Sequence, residues 1–126
     1  QGAFHLARSL RSLKHELSNN QMGQLMVETI GGAGMWFPRG PEYVHYANQG
    51  DNAPKVHGVL TPGALPGNRS VIFTFDDEWY DIPPEIDTPF IRVHAQIVYL
   101  RNRLTFAEAR TYAPPFGSKK INLNNL

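Results

Sequence analysis

The sequence predicts an α+β fold: an antiparallel sheet of about four to five strands, with one or more N-terminal helices packed on one side. Three observations lead there. Leu6, Leu10, Leu13 and Leu17 recur at helical spacing, "FIRVHAQIVYL" alternates apolar and polar residues, and 10 Pro and 11 Gly among 126 residues mark frequent turns.

Taken in order, "AFHLARSLRSLKHEL" predicts an amphipathic helix with Arg8, Arg11, Lys14 and His15 on its polar side. "SNN" at 18–20 ends it and offers an N-cap for the next element. "QMGQLMVETI" fits a short helix or a strand, and "GGAG" at 31–34 closes it. "EYVHYA" and "KVHGVL" are expected as edge or partly covered strands, with "TPGALPGNRS" as a surface loop and "SVIFTF" as a buried strand. In "FIRVHAQIVYL", Ile91, Val93, Ala95, Ile97 and Tyr99 would face the core. "RNR" would then turn the chain into a returning strand, "LTFAEARTYA".

The length suits one domain spanning 1–126, and Gln1 at the first position fits the core of a longer chain. With no Cys, disulfides, thiolate metal sites and thiol nucleophiles are excluded together. No apolar run approaches the roughly 18 residues of a membrane span, so the chain is expected to be soluble or to lie on a surface. Net charge is +1 but unevenly spread. Asp76, Asp77, Glu78, Asp81, Glu85 and Asp87 form an acidic block, and Arg92, Arg101, Arg103, Arg110, Lys119 and Lys120 lie in a basic stretch after it. Such blocks can neutralise each other within one fold or meet between copies.

The acids around Trp79 and Tyr80 could serve catalysis or hold a divalent ion, but the spaced Asp/Asn and central Gly of a Ca²⁺ loop are missing. His45, His57 and His94 show no HxH or HxxxH spacing, and phosphate-loop, dinucleotide and nucleophile-elbow motifs are absent. No catalytic residue, metal ligand or cofactor is expected. Aromatics beside acids also make interface anchors. Asp76, Asp77, Glu78, Trp79 and Tyr80 therefore predict a docking edge for Arg92 and Arg110 of another copy. Asn68-Arg69-Ser70 matches the N-glycosylation pattern, which is common by chance.

The succession "FHLARSLRSLKHELSNNQ", "MGQLMVETIGGAG", "PEYVHY", "VIFTF" and "PPEIDTPFIRVHAQIVYL" before a last hairpin resembles the globular core of rhabdovirus matrix proteins. The resemblance implies a small α+β structural protein that self-associates, condenses the viral nucleocapsid and binds the inner face of the host membrane. It further implies a role in virus assembly and budding, and residence in the virion and host cytoplasm. Membrane and nucleocapsid contacts would fall on Arg8, Arg11, Lys14, Lys119 and Lys120. The family's Pro-Pro-x-Tyr budding motif is not matched, because Pro83-Pro84-Glu85-Ile86 and Pro114-Pro115-Phe116-Gly117 lack the Tyr. Rival expectations are a phage tail or neck subunit, a small metal-dependent hydrolase using the 76–87 acids with His94 or His57, and an RNA-binding module.

Overall fold

The computed structural model describes residues 2–126. The order is α1 (Gly2–Leu13), α2 (Asn19–Gly23), β1 (Met26–Ile30), β2 (Glu42–Asn48), α3 (Asn52–His57), β3 (Arg69–Phe75), α4 (Pro89–His94), α5 (Gln96–Asn102), α6 (Phe106–Arg110) and β4 (Gly117–Asn122). The four strands form one sheet in the order β1-β2-β3-β4, and every pair is parallel.

The mixture of helix and sheet is as expected, but the antiparallel pairing is not. Parallel neighbours need long crossovers instead of hairpins, and residues 31–41, 49–68 and 76–116 supply them. β2 and β3 are central strands, buried along almost their whole length, so "EYVHYA" is no edge. "KVHGVL" also departs from expectation: its first half lies in α3, started by Asp51, whose side chain accepts from Ala53 N at 3.0 Å. The expected hairpin at 90–113 is three short helices. Thr88 accepts from Ile91 N and Pro89 opens α4, while the extended backbone of Ala95 breaks the chain and restarts it as α5. That break shifts the helical phase, and the apolar positions of two short helices imitate a strand's alternation. The last strand, β4, "GSKKIN", is a polar edge strand with no apolar signature.

Each face of the sheet carries its own core. Val44, Tyr46, Val71, Phe73 and Phe75 meet Val98, Tyr99 and Ala109 of α5 and α6. On the other face Val27, Tyr43 and Ile72 meet Ala7 and Leu10 of α1, with Phe37 and Val59. The β2–β3 connection thus packs on the α1 face and the β3–β4 helices on the opposite one. Both steps go the same way across the sheet, so the two crossovers differ in hand and one is the uncommon left-handed form.

His45 shows how a buried polar strand residue is accommodated. Thr29 Oγ1 donates to its Nδ1 at 2.7 Å, and its Nε2 donates to the carbonyl of Pro66 at 2.8 Å. Burial pushes its pKa down from 6.5 to about 4, against the opposing pull of that carbonyl, so the ring is neutral and both nitrogens are satisfied.

Candidate functional site

One surface is shaped by α1. Ala7 and Leu10 are buried against the sheet, flanked by half-buried Leu6 and Leu13, so the opposite side must face water. Phe4, Arg8 and Arg11 succeed one another at steps of four and three along that side, with Lys14 and His15 in the turn after the helix. Across the first turn of α1 runs the loop after β1. It passes so close that a Cβ on Gly32 would lie 2.2 Å from Ala3 Cβ, and one on Gly34 would lie 2.6 Å from the Ala3 carbonyl. "GGAG" is therefore needed for this crossing and does more than end a secondary-structure element.

Past the crossing, the loop is pinned. Leu65 N donates to the Met35 carbonyl at 2.7 Å, Phe37 N donates to the Leu65 carbonyl at 2.8 Å, and Arg11 Nη1 donates to the Trp36 carbonyl at 2.5 Å. Extended backbone then sends neighbouring side chains opposite ways. Phe37 turns inward and packs against the rings of Tyr43 and His45, while Trp36 points out with 50% of its surface exposed. Phe4 and Leu65 are exposed beside it, at 46% and 61%. Two clefts share the Arg11–Trp36 wall. A cavity of about 400 Å³ is lined by Phe4, Ala7, Arg11, Ala33, Met35, Trp36 and His57. A neighbour of about 280 Å³ is lined by Arg11, Lys14, His15, Trp36, Phe37, Pro38 and Leu65. Among the described residues, no carboxylate lines either cleft.

The carboxyl ends of β2 and β3 hold a second polar cluster, where ligands often sit in parallel sheets. Asp51, fully buried, accepts from Tyr99 Oη at 2.7 Å, His94 Nδ1 at 2.5 Å and Ala53 N. Tyr99 Oη in turn accepts from Asn48 N at 3.1 Å, and burial pushes its phenol far up. Asn48 Nδ2 donates to the carbonyls of Asp77 and Val93 at 2.8 and 2.9 Å. This network bolts α4 and α5 to β2 and β3. His94 also borders a small cleft with Glu28, Thr29, Gly31 and Gly32, and the Thr29 Oγ1 in its lining donates to His45. His94 and its Asp51 partner thus form a part-buried base–carboxylate pair at this end of the sheet.

Comparison with family models, curated proteins and solved structures gives no match. The site alone therefore carries the functional argument.

The residues expected to bind membrane and nucleocapsid divide into two places. Arg8, Arg11 and Lys14 fall on the α1 surface, while Lys119 and Lys120 sit on β4, at the sheet edge opposite β1. Consecutive strand residues point to opposite faces, so the two lysines do not share a surface. The expected self-association residues are largely engaged within the chain. Asp77 accepts from Arg101 Nε and Nη2 at 2.6 and 2.7 Å and from Asn102 at 2.7 Å, and the Arg101 bonds hold its carboxyl below the usual carboxylate range. Arg92 pairs with Asp87 at 2.7 Å and Arg110 with Glu42 at 2.8 Å. Trp79 packs on the core and donates its backbone N–H to the Arg92 carbonyl, whereas Asp76, Glu78 and Tyr80 remain exposed. Among the described residues, no three His, Asp or Glu side chains converge as metal ligands.

Trp36, Phe4 and Asp51 were not singled out from the sequence, and His94 and Tyr99 were named there without their shared partner Asp51. The signal for Trp36 was present in "GMWFP", where two aromatics in extended backbone must face opposite ways. Asp51 could have been found as an N-cap before "NAPKVH".

Proposed function

We propose that the chain is a non-enzymatic, matrix-like structural protein that docks α1 and the Trp36 loop on an anionic membrane surface. The observation that carries this reading is the joining of Arg8, Arg11 and Lys14 with exposed Trp36 and Phe4 in one patch whose clefts, among the described residues, contain no carboxylate. Cations attract acidic headgroups, and a backbone-pinned Trp suits the interfacial zone, where one end of the ring is apolar and the other wet. Each of the three cations contributes about 1 kcal/mol near such a surface. A single copy therefore binds weakly, and copies arrayed by self-association bind strongly through effective concentration. Lys119 and Lys120 lie away from the patch and on opposite faces of β4, so they form no second joint site for a polyanion. The viral part of the proposal rests on the sequence resemblance alone, since the parallel sheet and the helices at 89–110 replace the hairpin in the expected element order.

Flotation with vesicles of phosphatidylcholine, with and without phosphatidylserine, tests the surface reading. Binding that requires phosphatidylserine and fades with added salt supports it. Failure to float at low salt with either vesicle sinks it, and salt-sensitive RNA binding in its place would assign the patch to nucleic acid.

A further inference from the structure

We infer that the cavity between α1 and the Trp36 loop takes one acyl chain of an anionic lipid, with Arg11 at its rim holding the headgroup. This rests on the membrane reading and deepens it from attraction to a surface to extraction of a single lipid chain.

The cavity, about 400 Å³, falls within the size range of small-ligand sites. Its walls are Phe4, Ala7, Ala33, Met35 and Trp36, and among the described residues its charged or titratable side chains are Arg11 and His57. A lining so poor in donors and acceptors cannot orient a polar ligand but suits a hydrocarbon chain. The unbranched Met35 can follow such a chain as it bends. The charge at the mouth selects what is attached to the chain. Arg11 spends Nη1 on the Trp36 carbonyl, which fixes the guanidinium and leaves its remaining N–H groups for a phosphate or carboxylate. The adjoining cleft, sharing Arg11 and Trp36, adds Lys14 and His15 where a headgroup would lie. An apolar lining beside cations, with no acid among the described residues, is the complement of an acidic amphiphile, and it disfavours a neutral lipid.

Titration of the whole chain with monomeric dihexanoyl phosphatidylserine, below its micelle concentration and without vesicles, isolates the cavity from the surface. The expected result is saturable binding, at least about tenfold tighter than to dihexanoyl phosphatidylcholine. Ala33→Leu fills the cavity without touching a cation, so it should weaken monomer binding about tenfold while salt-sensitive vesicle flotation persists. Met35→Phe, on the same wall, serves as an independent filler if Ala33→Leu does not fold. Arg11→Gln should abolish the preference for serine over choline headgroups. Absence of saturable monomer binding, equal affinity for the two headgroups, or full affinity in a folded filled variant would overturn the inference. Flotation without monomer binding would overturn it alone and leave the surface reading intact. Monomer binding without flotation would do the reverse.

Discussion

Arg11 and Trp36, 25 residues apart, are joined by a hydrogen bond from the guanidinium to the Trp36 carbonyl at 2.5 Å. The bond locks the loop to the helix through backbone and leaves the indole ring free, so a cation and an exposed aromatic are held at fixed spacing. A loop with only side-chain contacts would let the ring fold back onto the nearest apolar surface. Here the paired backbone of Met35, Phe37 and Leu65 prevents that.

Arg8 makes no hydrogen bond or ion pair among the described residues and lies exposed on α1. Arg8→Gln should therefore leave unfolding free energy within about 0.5 kcal/mol of the parent. Its partition onto phosphatidylserine vesicles should fall roughly fivefold, the equivalent of about 1 kcal/mol. Denaturant melts and flotation on the same preparations separate the two effects.

His45 makes stability depend on pH in a defined window. Its folded pKa of about 4 lies below the ordinary 6.5, so between those values the unfolded chain binds more proton than the folded one. Stability is thus fully present above pH 6.5 and declines as pH falls toward 4. The expected loss by about pH 5 is about 2 kcal/mol, read by urea unfolding at that pH and at neutrality. A parent chain equally stable at both values would contradict the burial of a neutral ring.

Tyr99→Phe removes one hydroxyl and leaves two buried groups short of a partner, the amide of Asn48 and one acceptor position of Asp51. The expected cost is about 1–3 kcal/mol, with the fold retained because the ring still packs edge-on against Phe75. Amide hydrogen exchange at Asn48 should accelerate more than that of its neighbours in β2.

The charge blocks should couple inside the chain. A double-mutant cycle of Asp77→Asn with Arg101→Gln should give about 0.5–1 kcal/mol, whereas Asp77→Asn with Arg110→Gln should give nothing measurable. The structure pairs Asp77 with Arg101 and Arg110 with Glu42. Coupling of Asp77 to Arg110 that grows with protein concentration would instead support contact between copies.

Legibility tracked the physics of each segment. The stripe of α1 was plain because its inner side is leucine and its outer side basic, and Ser18 announced α2 through a capping box with Gln21. β3 was recognisable as a strand, and its unbroken "VIFTF" was already the mark of a strand buried on both faces in a parallel sheet. Strand direction was lost because α4 and α5, one or two turns each, have too few residues to display a helical period. The acidic block could be seen, but not its partner, since Asp77 meets Arg101 only after the chain has made the turn through α4. The patch was half legible: its cations were named from the helix, and the aromatics came from a loop whose position depends on the close passage of Gly32 over Ala3.

The most direct test is quenching of Trp36 by lipids brominated along their acyl chains, in a Trp79→Phe variant so that Trp36 is the remaining tryptophan. With phosphatidylserine-containing vesicles, strong quenching that disappears in high salt is expected, because the ring must enter the region where the chains lie. A protein that binds those vesicles with unquenched Trp36 fluorescence would contradict the account, placing the α1 and Trp36 surface away from the membrane.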